Sequence, residues 1–208
     1  SLARAPRALR ALGGTRHRGS VSTGPPVPRP AVSIGDPSNT STVTIPTKTL
    51  PSGAELPALG LGTYDLDDDE TADSVRAALD AGYGHIDTAE GYRNEAVIGD
   101  ALAASDVDRD DVFLTSKVLA KNLNYESVIG SCEASLDRLG VDYLDLYLIH
   151  WPNPAISLRE TLRAMAELRG RGLVRDVGVS NFSAYQLSCA HHVSDVPIAV
   201  NQIEFHPW

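Results

Sequence analysis

Residues 112–150 read VFLTSKVLAKNLNYESVIGSCEASLDRLGVDYLDLYLIH, and the fold turns on this stretch. The run 112–118 is short, largely apolar and bounded by polar residues, as a buried strand is. The segment 125–139 places Val128, Ile129, Cys132, Leu136 and Leu139 on one apolar stripe at helical spacing. A second apolar run follows at 144–150. Strand, helix and strand in this order require two parallel strands joined by a helical crossover.

The same alternation continues on both sides. Strands are predicted at 59–63, 85–88, 112–118, 144–150, 174–180 and 199–205, and amphipathic helices at 70–81, 95–104, 125–139, 158–169 and 184–192. Ahead of them, 42–50 and 54–59 flank Pro51-Ser52-Gly53 and read as a hairpin. Repeated βα units leave a doubly wound sheet or an eight-fold barrel. The strand centres recur every ~28 residues, so eight units would need roughly 225, close to the usual barrel length of ~250. Residues 59–208 accommodate six units and not eight. The expected fold is therefore α/β: a (β/α)8 TIM barrel, incomplete at about six of eight units, preceded by an N-terminal β-hairpin.

Residues 1–41 form a different kind of sequence, rich in Pro, Gly and Arg. Within it, GPPVPRP at 24–30 has four prolines in seven residues, which removes donors and fixes φ. An Arg-rich, acid-poor leader has the look of a transit peptide. Because the chain opens at Ser1 without Met, a disordered extension is the favoured reading, with the partial barrel assigned to 42–208.

Charge follows the same division. Residues 1–46 carry a net +5 and residues 47–208 a net −14, within a total of −9. So acidic a body argues against a nucleic-acid partner, which needs clustered Lys and Arg. With 42% hydrophobic and 22% charged residues the composition is that of a soluble globular domain. No run approaches the ~18 apolar residues of a membrane span. Two cysteines without CxxC spacing point to a reducing, cytoplasmic setting. Asp outnumbers Glu 18 to 9, and the body holds only three lysines. A salt-loving source and a high-GC genome account for this equally well.

Several familiar sites are missing from the sequence. The stretch 60–65, GLGTYD, lacks the third glycine of a dinucleotide fingerprint, and GVSNF at 178–182 fails the nucleophile-elbow pattern. The acidic run Asp65, Asp67, Asp68, Asp69, Glu70 has Glu and Arg where a calcium loop needs Gly and Glu, and suits a helix start instead. No metal-ligand spacing occurs.

What remains is a set of polar residues at predicted strand ends: Asp87, Lys117, His150, Ser180, Asn181 and Gln202. Each alone has a bland explanation as a cap, a solvated end or a satisfied core residue. Together they converge, because the carboxyl ends of barrel strands share the face on which that fold keeps its site. Lys117 follows a buried-looking run in a lysine-poor body, and an ammonium held by a carboxylate lowers the pKa of a nearby phenol. Tyr92 supplies the phenol, five residues after Asp87.

The blocks HIDTAEGYRNE (85–95), FLTSKV (113–118), LDLYLIHWP (144–152), VGVSNF (177–182) and NQIEFHP (201–207) resemble the successive signatures of the aldo-keto reductase family. The resemblance covers 42–208. It implies hydride transfer from NADPH, or from NADH, to a small-molecule aldehyde or ketone on a metal-free (β/α)8 barrel. By motif, the family's tetrad falls on Asp87, Tyr92, Lys117 and His150. In those roles Tyr92 is the general acid, Lys117 held by Asp87 makes it acidic, and His150 orients the carbonyl oxygen. Cofactor contacts are implied at Gly62, Thr63, Asp87, Ser180, Asn181 and Gln202. The substrate mouth is implied at Tyr64, Trp151 and His150, with Tyr64 where many relatives carry Trp. The family's last two barrel units are not matched, so a C-terminally truncated member, unstable or aggregating alone, is expected. A cofactor-binding regulatory module of the channel-β-subunit kind and a non-functional fragment are the alternatives.

Overall fold

A computed structural model describes residues 45–206. The 1–41 extension and the first residues of the predicted hairpin lie outside that range.

The hairpin pairs β1 (Thr47–Thr49) with β2 (Glu55–Pro57) antiparallel around the predicted turn. Then come β3 (Leu61–Gly62), α1 (Asp68–Asp80), β4 (His85–Asp87), α2 (Glu95–Ala103) and β5 (Phe113–Val118). They are followed by α3 (Tyr125–Leu139), β6 (Leu144–Ile149), α4 (Leu158–Gly170), β7 (Val174–Ser180), α5 (Ala184–Val193) and β8 (Ile198–Gln202). Six strands, β3 to β8, lie side by side in chain order, every pair parallel. The architecture is a partial (β/α)8 barrel behind an N-terminal hairpin.

Local chemistry explains the element ends. The acidic run opens α1: the Asp67 side chain accepts from the Glu70 N–H at 2.9 Å while the Glu70 carboxylate accepts from the Asp67 N–H at 3.3 Å. This reciprocal cap, with carboxylates at the positive end of the helix dipole, is where the run's charge is used. Helix α3 matches its predicted bounds and ends at Gly140, which sits at φ 65°. Strands β3 and β8 are shorter than expected, because Leu59 and the residues after Gln202 are exposed and unpaired in the sheet.

Strands β5 and β6 are buried along their whole length, as parallel strands covered on both faces must be. Ile86, Leu114, Val118, Tyr147, Ile149, Val177 and Val179 join the core shared with the helices. Phe113, Leu146 and Leu148 face the other way and pack on Leu50 of the hairpin. Gly178 continues that inner face, where a Cβ would stand 2.8 Å from both the Leu148 side chain and the Val200 carbonyl. Near the start of β7 the buried Asp176 carboxylate accepts from the Ser52 backbone N–H at 3.2 Å and from its hydroxyl. The hairpin thus stoppers the amino-terminal end of the strands. Period-two alternation then carries the inner face to the opposite rim, where Asp87, Lys117, His150, Ser180 and Gln202 lie.

Candidate active site

Each of these side chains arrives on a different strand. Asp87 ends β4, Lys117 is the penultimate residue of β5, and His150 follows β6. Ser180 ends β7 and pairs in register with Gln202 at the end of β8. Tyr92 comes from the single turn of 3-10 helix at Glu90–Tyr92, just after β4.

Lys117 is the centre of the group. Its side chain is 1% exposed, and its ammonium donates to Asp87 Oδ1, to the Thr88 carbonyl at 2.9 Å and to the Tyr92 hydroxyl at 3.3 Å. A buried ammonium of this kind needs a counter-charge and acceptors for its three hydrogens, and here it has both. Burial lowers the Lys117 pKa, while the charge and hydrogen bond of Asp87 push it back up. The His150 ring stands edge-on to Tyr92, with centroids 5.4 Å apart. On the far side Tyr64 meets Tyr92 in the same manner at 5.2 Å.

The phenol departs from the sequence-based expectation. Its pKa is pushed up to about 12, first by burial, then by Asp87 and Tyr64. Burial removes the water that would solvate a phenolate, and the Asp87 carboxylate adds a like charge against it. Tyr92 therefore holds its proton across the physiological range. His150 is shifted downward, by burial and then by Lys117, against the opposing charges of Asp87 and Glu90. Its Nδ1 is buried with no partner, whereas Nε2 is not enclosed. A buried lone pair without a donor costs less than a buried N–H without an acceptor, so the ring proton belongs on Nε2.

A second polar group lies alongside. Asn181, held at φ 61°, donates through Nδ2 to the His150 carbonyl at 2.9 Å and to Ser180 Oγ at 3.0 Å. Gln202 donates through Nε2 to Asp87 Oδ2 at 2.8 Å. These bonds leave one hydroxyl donor on Ser180 and one carbonyl acceptor each on Asn181 and Gln202. A primary carboxamide, with one acceptor and two donor hydrogens, is the complement of that set.

The remaining residues singled out in the sequence divide. Thr63 is fully buried and gives both its N–H and its hydroxyl to the Asp87 carbonyl, each at 3.1 Å, so it fixes β4 from within. Gly62, opposite Asp87 in the β3–β4 register, is exposed. Tyr64 and Trp151 are 72% and 55% exposed, but only Tyr64 has a ring contact with the group.

Three supporting residues had no sequence-based role. Asn94 is buried, accepts from the Thr88 hydroxyl and donates to the Thr63 carbonyl and Thr71 hydroxyl. Glu95 is buried behind β5, accepting from Ser116, Ser135 and Arg138. Glu90 accepts from the Leu119 N–H at 2.5 Å and from Asn122 Nδ2 at 3.1 Å, clamping the turn of Tyr92 to the turn after β5. Asn94 and Glu95 close the HIDTAEGYRNE block, which was their available signal. Glu90 lies inside the same block, and nothing in periodicity or spacing sets it apart there.

Comparison with known proteins agrees with the fold. The sequence profile of the Aldo/keto reductase family matches residues 58–208. A curated aldo-keto reductase of Mycobacterium avium (strain 104) is 49% identical over 168 residues, which is 80% of this chain and 59% of that protein. The crystal structure of an aldo/keto reductase from Brucella melitensis is 44% identical and superposes with a TM-score of 0.74, over 79% of this chain and 64% of that one. A Bombyx mori aldo-keto reductase crystallised in complex with NADP is 36% identical, with a TM-score of 0.73 over 78% of this chain and 59% of that one. The chain thus spans 59% of the length of the curated relative it matches.

Proposed function

The chain belongs to the aldo/keto reductase family, and from that premise we propose that its site reduces an aldehyde or ketone to the alcohol with NADPH, or NADH, as the reductant. The single observation behind this reading is the Lys117 ammonium in contact with both the Asp87 carboxylate and the Tyr92 hydroxyl.

Ser180, Asn181 and Gln202 would hold the nicotinamide carboxamide, since they offer its complementary donor and two acceptors. When bound, the reduced nicotinamide supplies a hydride to the carbonyl carbon. Charge then develops on the carbonyl oxygen, which needs donors already in place. His150 Nε2–H and the Tyr92 O–H are those donors, and their edge-on rings fix where the oxygen sits. Tyr92 is the general acid: it transfers its phenolic proton to the oxygen and becomes a phenolate. Lys117, 3.3 Å away, stabilises that phenolate. Asp87 keeps the lysine charged and, through Gln202, ties proton chemistry to cofactor binding. The high resting pKa of Tyr92 keeps the acid loaded. Tyr64 and Trp151 form the mouth through which substrate enters, and the activity belongs to the cytoplasm.

The test is stopped-flow oxidation of NADPH by a simple aldehyde, together with a Tyr92→Phe variant. The variant is expected to lose about 10²- to 10⁴-fold in reduction rate while its NADPH affinity, read by fluorescence quenching, stays constant. Reduction surviving in Tyr92→Phe would show that another group supplies the proton.

A further inference from the structure

Arg93 immediately follows Tyr92 and is held in the left-handed region at φ 65°, ψ 14°. Glycine occupies that region without penalty, whereas an arginine is strained there by its Cβ. The position nevertheless carries a long, exposed cation. Lys121 lies in the next rim turn, Ala120–Asn122, and is exposed as well. Glu90 locks the two turns together through the Leu119 N–H and Asn122, so both cations belong to one stretch of rim beside Tyr92.

Neither cation is neutralised. Among the described residues Arg93 and Lys121 form no ion pair, although 26 acids and only 12 bases occupy residues 47–208. The acids nearest Arg93 along the chain are otherwise engaged, Glu90 with the clamp and Glu95 with Arg138. In a body this acidic, two unpaired cations thus stand on the turn that carries Tyr92 and on the turn clamped to it. Clefts lined by charge of one sign attract ligands of the opposite charge.

We infer that Arg93 and Lys121 form a cationic selectivity rim, which favours carbonyl substrates bearing a carboxylate remote from the reacting carbon. The carbonyl enters between Tyr92 and His150 while its anionic end stays at the rim. Arg93 and Lys121 contact that end only and take no part in proton transfer. The inference rests on the carbonyl-reductase reading, so its test reads binding separately from turnover.

The probes are 4-(hydroxymethyl)benzoate and its neutral isostere 4-(hydroxymethyl)benzamide, titrated into the NADP-saturated protein at 20 mM salt and followed by tryptophan fluorescence. The carboxylate is expected to bind about fivefold more tightly than the amide, as two exposed charge contacts allow. An R93Q/K121Q variant is expected to bring the two affinities together, as is about 1 M salt, where the screening length falls to ~3 Å. R93K/K121R is expected to keep the preference. Equal affinities in the unaltered protein, or a preference that survives R93Q/K121Q, would overturn the inference. Turnover of the two matching aldehydes is measured in parallel: a charge preference in binding with no reduction of either would leave the rim standing and refute the reductase reading.

Discussion

Replacing Asp87 with Asn keeps the side chain's shape and removes the counter-charge of an ammonium that is 1% exposed. The neutral amide has one oxygen to offer, where the carboxylate serves Lys117 with Oδ1 and Gln202 with Oδ2. Removing one partner of a buried pair costs about 3–5 kcal/mol. The upper limit has its own physical source, because the amine escapes a worse penalty by losing its proton. Its ordinary pKa of 10.5 lies 3.5 above pH 7, and each pH unit is worth about 1.36 kcal/mol, which caps the loss near 5 kcal/mol. The sign of the pH dependence follows. Without Asp87, nothing on the carboxylate side opposes the lowering of the Lys117 pKa by burial. Between that lowered value and 10.5 the unfolded chain binds a proton that the folded one lacks, so stability rises with pH. Urea unfolding of Asp87→Asn is thus expected to recover up to about 2.7 kcal/mol between pH 7 and pH 9, at 1.36 kcal/mol per unit. Adding Lys117→Met in the same chain removes the stranded charge and should restore most of the loss at pH 7. A loss below about 1 kcal/mol with no pH slope would refute the picture of a buried, mutually dependent pair.

Other expectations test separate parts of the structure. Arg93→Gly relieves a left-handed strain and should stabilise by about 1 kcal/mol, raising Tm by roughly 2–4 °C in a thermal melt. Gly99→Ala reverses the usual helix rule: in α2 the Cβ would lie 2.6 Å from the Leu139 carbonyl and 2.8 Å from that of Arg138, so a loss of about 1–3 kcal/mol is expected where propensity alone predicts a gain. His85 and His150 are both lowered from 6.5, chiefly by burial. Below pH 6.5 the unfolded chain takes up protons that the folded one refuses, so stability should fall as pH drops through that window, and His85→Gln should flatten part of the slope.

The helices and the order of strands were legible because burial imposes a period, and a period is visible in one dimension. Val128, Cys132, Leu136 and Leu139 announced α3 before any packing was known, and its observed bounds coincide with the predicted ones. The strand ends were less legible: β3 shrinks to two residues, and β8 stops at Gln202, because pairing rather than composition ends a strand. The candidate site was readable as a set of strand-end residues and as motif blocks. Thr88 and Glu90 lie inside one of those blocks, but their contacts with Lys117, Leu119 and Asn122 were not legible, since backbone carbonyls and loop clamps have no sequence signature. Thr63 shows the limit from the other side. It was expected among the cofactor contacts, yet its hydroxyl turns inward to the Asp87 carbonyl.

By itself the sequence determined that strands and helices alternate, that the strands are parallel, and that Asp87, Lys117, His150, Ser180 and Gln202 reach one rim, since alternation and connection length leave few other arrangements. Only the tertiary structure decided what those groups are to one another. The Tyr92 phenol is pushed up to about 12 because burial removes the water that would stabilise a phenolate, and because Asp87 and then Tyr64 add to that shift. A pKa is set by solvation and by the sum of charges within a few ångströms. In this protein that sum is taken over separate strands and loops, and no reading along the chain performs it.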